Sequence, residues 1–335
     1  MQIETFKVFC DLVETASFSR AASINAITQS AVSQQIRALE KHFRVSLIER
    51  GRKNFSVTQE GRAFLQASKE ILQAFESLGD RIRELQNVVA GDLKIATIYS
   101  IGLHELPPFL KKFSALYPAV KVKVNYRRSA QVYSEVLEGD ADFGLVAFPA
   151  NRKGLAVENF WQDKLVVICH PRHPLAERKR VKVRDLDGEK FISFEPDLPT
   201  RKVIDRILRE AGVKIEQTME FDNIETVKRA VEIENGISIV PRTSVADETR
   251  NGSLVAVEVE SLDMWRPLGV IYRRGRSVSP AHKAFVALLK EPRWLAEEGL
   301  RDGDEALLES PLLTPYGAPV ARALRQRMGA AANAA

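Results

Sequence analysis

The run Thr28-Gln29-Ser30-Ala31-Val32-Ser33-Gln34-Gln35-Ile36-Arg37-Ala38-Leu39-Glu40 leaves little choice of secondary structure. Val32, Ile36, Leu39 and Phe43 recur at offsets of four, three and four, which makes one apolar stripe on a helix and suits a buried face. The opposite surface carries Gln29, Ser33 and Arg37, with Ser30 and Gln34 beside them. Thr28 is placed to cap the helix, so the amides and hydroxyls fall in its first turns, the part of a recognition helix that enters a major groove. Gln can read adenine, Arg can read guanine or grip phosphate, and Ser can serve base or backbone. A solvated amphipathic helix would show the same polar face, so its neighbours decide between the two.

Those neighbours suggest a helix-turn-helix. Residues 1–15 have helical spacing at Ile3, Phe6, Phe9 or Cys10, and Val13, while Glu4, Lys7 and Asp11 interrupt any signal-peptide-like apolar run. Ser17 can cap a short helix over 18–24, in which Ala21 and Ala22 let another helix cross closely. Asn25-Ala26-Ile27 is then a tight turn into the polar-faced helix. Leu47-Ile48 and Phe55-Ser56-Val57 can pair as strands around Arg50-Gly51-Arg52-Lys53-Asn54. In that wing Arg50, Arg52 and Lys53 suit phosphate contacts, although a solvated basic turn would look the same.

Thr58 can cap a long helix through Phe64, Leu65, Leu72, Phe75, Leu78, Ile82, Leu85 and Val89. From Leu72 the offsets are three, three, four, three and four, close to a heptad seam, and a core helix would give a similar stripe. After Gly91-Asp92 the pattern changes. Strands are expected at residues 93–98, 120–126, 143–147, 165–169, 190–194, 218–221 and 236–240, with helices at 103–116, 129–137, 200–211 and 224–233. This alternation predicts βαβ units and a largely parallel sheet. Three strand-to-helix junctions, at Tyr99-Ser100-Ile101, Pro199-Thr200-Arg201 and Asn223-Ile224-Glu225, present helix N-termini. Capping alone would account for Ser100, Thr200 and Asn223.

Residues 1–61 resemble the winged helix-turn-helix of LysR-type transcriptional regulators. The resemblance rests on Ala21-Ala22, Thr28 to Ser33, Gln35-Ile36, Leu39-Glu40, Leu47, Arg50 and Thr58-Gln59-Glu60-Gly61, with Ile48 in place of the usual Phe and Gln34 where many members are basic. It continues through Gly91-Asp92-Leu93-Lys94-Ile95, Leu106-Pro107-Pro108-Phe109-Leu110, residues 137–145, His173-Pro174-Leu175-Ala176 and residues 234–241, where Ser238 replaces a second glycine. It implies an α/β multidomain chain: a DNA-binding domain at 1–61, a linker helix at 62–90 that pairs two chains, and an effector domain at 91–291. That domain would hold two α/β lobes like those of periplasmic binding proteins, parted near 159–164, with the chain returning to the first lobe around 265–273. The implied partners are double-stranded promoter DNA, read by Gln29, Ser30, Ser33, Gln34, Arg37, Arg50, Arg52 and Lys53, and a small polar or anionic effector. The effector would sit in the inter-lobe cleft against Tyr99, Ser100, Ile101, Phe148, Thr200, Arg201, Asn223 and Ile224. A homodimer through the linker helix and a dimer of dimers are implied as well, with no cofactor and no catalysis.

Other chemistries lack their companions. Asp142-Phe143-Gly144 imitates a kinase triplet without a glycine loop or His-Arg-Asp loop, and Cys169-His170-Pro171-Arg172-His173 offers too few ligands at poor spacing for zinc. No nucleophile, base and orienter stand in recognisable order. A free-standing solute-binding protein would have no use for residues 1–61, and an α/β enzyme tethered to a DNA-binding head would turn its ligand over. Cys10 and Cys169 fall in different expected domains, which suits a reducing cytoplasm, and no apolar run approaches the roughly 20 residues that span a bilayer. The net charge of +5 and pI near 9.1 are compatible with nucleic acid. Residues 292–335, ending in Gly329-Ala330-Ala331-Ala332-Asn333-Ala334-Ala335, are expected to form a largely mobile tail, the alternative being helices at Trp294-Leu295 and Val320 to Met328 that dock locally or on a partner.

Overall fold

The computed structural model describes residues 2–50, 55–86, 88–260, 264–275 and 278–291. Arg52, Lys53 and the tail at 292–335 lie outside them, as does the side chain of Arg50. Two compact units emerge, the first built on Met1–Val89 and the second on most of the chain beyond it.

In the first unit, α1 (Ile3–Thr15), α2 (Phe18–Ile24) and α3 (Gln29–Phe43) precede a β-hairpin of β1 (Ile48–Arg50) and β2 (Phe55–Val57). The core joins Phe9, Leu12, Ala21, Ala22, Val32, Ile36, Leu39, Leu47 and Ile48, each fully buried large aliphatic or aromatic side chain contributing about 1.5–3 kcal/mol. Hydroxyl caps fix the helix starts: Ser17 accepts from Arg20 N–H, and Thr28 accepts from Ala31 N–H at 3.2 Å. The α1 face differs slightly from the expected stripe, running through Phe6, Val8, Phe9 and Leu12 and leaving Val13 at its edge. Phe43 also departs from expectation. At the last turn of α3 it lies edge-on to Phe64, centroids 5.3 Å apart, and remains 44% exposed because no described residue closes over its outer side.

The helix α4 (Gln59–Leu85) starts where Thr58 accepts from Gly61 N–H at 2.8 Å and donates to Ser46 O at 2.7 Å. A Cβ on Gly61 would come 2.1 Å from Leu47 O, so only glycine fits this crossing. Gly61→Ala is expected to destabilise the head by about 1–3 kcal/mol, read as an earlier unfolding transition of the full chain in urea.

The second unit holds a mixed sheet in the order β4 (Val120–Tyr126), β3 (Gly91–Thr97), β5 (Phe143–Ala147), β12 (Trp265–Arg273), β6 (Leu155–Cys169), β11 (Val255–Glu260) and β7 (Arg180–Lys182), with β10 (Ser238–Pro241) also paired to β6. β3 (Gly91–Thr97) runs parallel to β4 (Val120–Tyr126) and β5 (Phe143–Ala147), with α5 (Leu106–Leu116) and α6 (Ser129–Glu138) as crossovers. Helix was expected over 103–116. A π-helical turn occupies Ile101–Glu105 and α5 begins only at Leu106, because Pro107 and Pro108 have no N–H with which to continue a ladder from the preceding turn.

β6 (Leu155–Cys169) runs further than the expected 165–169, passing without a break through 159–164. Its first part pairs with β12 (Trp265–Arg273), and its last residues pair with β10 (Ser238–Pro241) and β11 (Val255–Glu260). The first part is partly exposed and carries the polar residues Asn159 and Gln162 and the buried Asp163, which disguised it as a lobe boundary. β12 also pairs with β5, so the chain does return to the first lobe. The second lobe adds β7 (Arg180–Lys182), β8 (Lys190–Phe194), α7 (Pro199–Glu210), β9 (Glu216–Phe221), α8 (Ile224–Glu232) and α9 (Ala246–Asn251). Leu165 to Cys169, Phe191, Ile204, Val227 and Ile239 form its core. The first lobe closes with α10 (Pro280–Lys290), whose Phe285 meets Phe113 and Phe143 at 4.9 and 5.6 Å. Among the described residues no helix is long and apolar enough to cross a membrane.

Candidate functional site

Two surfaces carry the polar residues singled out above. On α3, Gln29, Ser30, Gln34 and Arg37 are exposed and Ser33 is half-buried, while Val32, Ile36 and Leu39 on the other side are buried. Ser30 Oγ lies 2.9 Å from Thr28 Oγ1, so its hydroxyl is shared with the cap. Glu40, prominent in the motif, plays a structural part. Its Oε1 accepts from Leu47 N–H at 3.0 Å and fixes how the chain leaves α3 for the hairpin.

The second surface is a cleft between the lobes, enclosing about 670 Å³ with its open mouth included. The first lobe supplies Tyr99 and Ser100 just after β3, Arg127 and Arg128 between β4 and α6, Ser129 at the start of α6, and Arg266 from β12. Thr200 at the start of α7, and Asp222, Asn223 and Ile224 at the start of α8, come from the second. Ile98, Ala147, Phe194, Leu198, Pro199 and Pro241 make the rest of the wall apolar. Asn223 caps α8, accepting from Thr226 N–H at 3.0 Å.

The junctions expected from sequence therefore meet at one cavity, though not with every side chain. Ile101 is buried in the core and Phe148, with φ of 48°, donates its N–H to Pro267 O; neither lines the cavity. Arg201 does not line it either. It is held by Asp205 at 2.7 Å, Phe194 O at 2.5 Å and Gln217 at 3.0 Å, which turns its charge along α7 and β9. Arg127, Arg128, Asp222 and Arg266 were not singled out in the sequence. The Arg127-Arg128-Ser129 run after a strand was a visible signal, whereas Arg266 inside a strand gave none.

Charges around the cleft are extensively paired. Arg128 lies 2.9 Å from Glu195, 3.1 Å from Asp222 and 3.7 Å from Asp197, a clasp from the first lobe to three carboxylates of the second. Hydrogen bonds from Asn223 and Arg128 hold the Asp222 carboxyl below its ordinary range. Below the cleft, His104 Nε2 meets Glu225 at 2.8 Å, and burial pushes the imidazole pKa down against that hydrogen bond. Burial would raise Glu225, but hydrogen bonds from Lys228 and His104 outweigh it and the carboxyl titrates low.

Two family models match the chain: "Bacterial regulatory helix-turn-helix protein, lysR family" over residues 3–62 and "LysR substrate binding domain" over 86–294. The chain belongs to the LysR family of transcriptional regulators. It is 30% identical over 287 residues to the HTH-type transcriptional activator CmpR of Synechocystis, covering 86% of this chain and 94% of CmpR. It is 28% identical over 290 residues to the HTH-type transcriptional regulator CysL of Bacillus subtilis, covering 87% and 97%. In fold, this LysR-family chain is similar to full-length CbnR complexed with its target DNA (TM-score 0.63, 22% identity, 87% of this chain and 99% of that chain). It is also similar to the regulatory domain of Synechocystis CcmR in complex with 2-PG (TM-score 0.55, 24% identity, 60% and 96%). The chain is thus a LysR-type regulator with a helix-turn-helix and an effector-binding domain, and its family models and curated relatives are regulators rather than enzymes.

Proposed function

We propose that this regulator binds promoter DNA as a dimer of dimers, inserting α3 into the major groove, and that a small polar effector in the inter-lobe cleft adjusts the binding. The observation that carries the reading is the exposed set Gln29, Gln34 and Arg37 on one side of a helix whose other side is buried. Gln29 and Gln34 suit adenine, and Arg37 suits guanine or phosphate. Arg50, Arg52 and Lys53 add phosphate contacts from the wing. The target-DNA complex of CbnR and the 2-PG complex of CcmR support the two halves of the reading by likeness of fold. Ser100, Thr200 and Asn223 give the effector hydroxyl and amide partners at helix starts. The effector acts by binding one arrangement of the lobes more tightly than another, since equal affinity for both would shift nothing.

Arg37→Ala is the direct test, read by gel-shift titration against operator variants. A base-reading Arg37 predicts a loss of about 1–3 kcal/mol with relaxed selectivity at one position. A phosphate contact would weaken all sequences alike, and unchanged affinity would remove Arg37 from the interface.

A further inference from the structure

The buried guanidinium of Arg266 is the cleft's least expected group. It is 1% exposed, yet it lines the cavity. Nη2 donates to Ser100 Oγ at 2.5 Å and Nη1 to Glu105 Oε1 at 3.3 Å, with Asp163 Oδ2 4.0 Å from Nη1. Nε, also buried, has no acceptor among the described residues. A guanidinium offers five donors in a planar fork that matches a carboxylate, and leaving buried donors unmet is costly. Ser100, accepting from Arg266, keeps its own proton for another partner.

We propose that Arg266 and Ser100 together hold a carboxylate group of the effector, and that Glu105 competes with that carboxylate for the guanidinium. This rests on the reading of the cleft as the effector site. Glu105 shows that Nη1 of Arg266 takes a carboxylate partner, and an incoming carboxylate takes over that hydrogen bond while the buried Glu105 stays beside it. Thr243 Oγ1 lies 2.5 Å from Asp163 Oδ2 and 2.9 Å from Glu105 Oε1, and its single proton serves one of these carboxylates at a time, Glu105 when the guanidinium turns to the effector. A dianionic phosphate would bring two negative charges beside Glu105 and Asp163 where a carboxylate brings one. Ala147, Phe194, Ile224 and Pro241 favour a short hydrocarbon stem on the ligand.

Isothermal titration of the full chain with propionate, and with inorganic phosphate at the same pH and ionic strength, tests this. Wild type binds propionate more tightly than phosphate, Arg266→Met weakens propionate at least tenfold, and Glu105→Gln tightens it severalfold. Glu105→Gln keeps the shape of the side chain and leaves Asp163 beside the guanidinium, so it decides the matter if Arg266→Met fails to fold. A purely structural Arg266 would give no tightening. Propionate affinity unchanged in Glu105→Gln, unchanged in folded Arg266→Met, or weaker than phosphate affinity overturns the proposal. If Ser100→Ala and Thr200→Val abolish propionate binding while Arg266→Met and Glu105→Gln leave it alone, the cleft reading stands and this proposal falls. No saturable binding of either probe to wild type overturns this proposal and leaves the cleft reading to effectors of other chemistry.

Discussion

Replacing Leu78 and Ile82 together by Glu is expected to turn the protein monomeric and to lower its affinity for an operator by roughly 10²–10⁴-fold, the gain that linking two readers confers. α4 has 27 residues, about 40 Å of helix at 1.5 Å per residue. Phe75, Leu78, Ile82 and Leu85 are 58%, 54%, 50% and 86% exposed along it, at the spacing of a heptad seam. An apolar strip of this length facing water is expected to be covered by a second copy. Carboxylates set into such a seam would lose their water on pairing, and that desolvation opposes association. A single small reader can make few phosphate contacts, whereas a dimeric helix-turn-helix can read half-sites about 34–36 Å apart. Sedimentation velocity and gel shift on the same samples check this, and a variant that stays dimeric with full affinity would show that the seam does not pair the chains.

Lys228→Met is expected to cost the second unit about 3–5 kcal/mol, the usual penalty for breaking a buried ion pair from one side. Lys228 is 3% exposed, with Nζ 2.9 Å from Glu248, 3.0 Å from Glu225 and 2.9 Å from Ser244 O. The ammonium ties α8 to α9 and to the 3-10 turn at Arg242–Val245, and its loss strands Glu248, itself 8% exposed. Adding Glu248→Leu should recover part of the loss, which a double-mutant cycle in urea would measure. Glu225 titrates below its ordinary value of 4.5 in the folded state, so its contribution is present above that pH and lost as acid takes the medium through the lowered value. His104, held below 6.5, follows the same sign: its contribution is full above 6.5 and fades as the pH falls through the depressed value. The acid limb of wild type should therefore be steeper than that of Lys228→Met. Equal stability of the two proteins at neutral pH would contradict this role for the ammonium in α8.

The head was the most legible part of the chain because its determinants are local. Ser17, Thr28 and Thr58 each cap a helix from within three residues, and Val32, Ile36 and Leu39 declare their face by spacing alone. In the second unit the alternation of strands and helices was readable, but the partnership of residues 155–164 with 265–273 was not, because it joins segments about a hundred positions apart whose own patterns are half-polar. The cleft followed the same division. Ser100, Thr200 and Asn223 were visible as residues opening helices, whereas Arg266 acquires its place only when β12 returns beside β6. Arg201 illustrates the converse, since a helix-opening arginine looked free until β9 brought Gln217 and Glu220 within reach.

The central claim, that paired heads read duplex DNA through α3, is tested most directly by footprinting the full chain on fragments of its own genome at two salt concentrations. Saturable protection of two half-sites about one helical turn apart is predicted, weakening steeply as salt rises because phosphate contacts release counterions. Protection of no fragment at either salt, or binding indifferent to both sequence and salt, would contradict it.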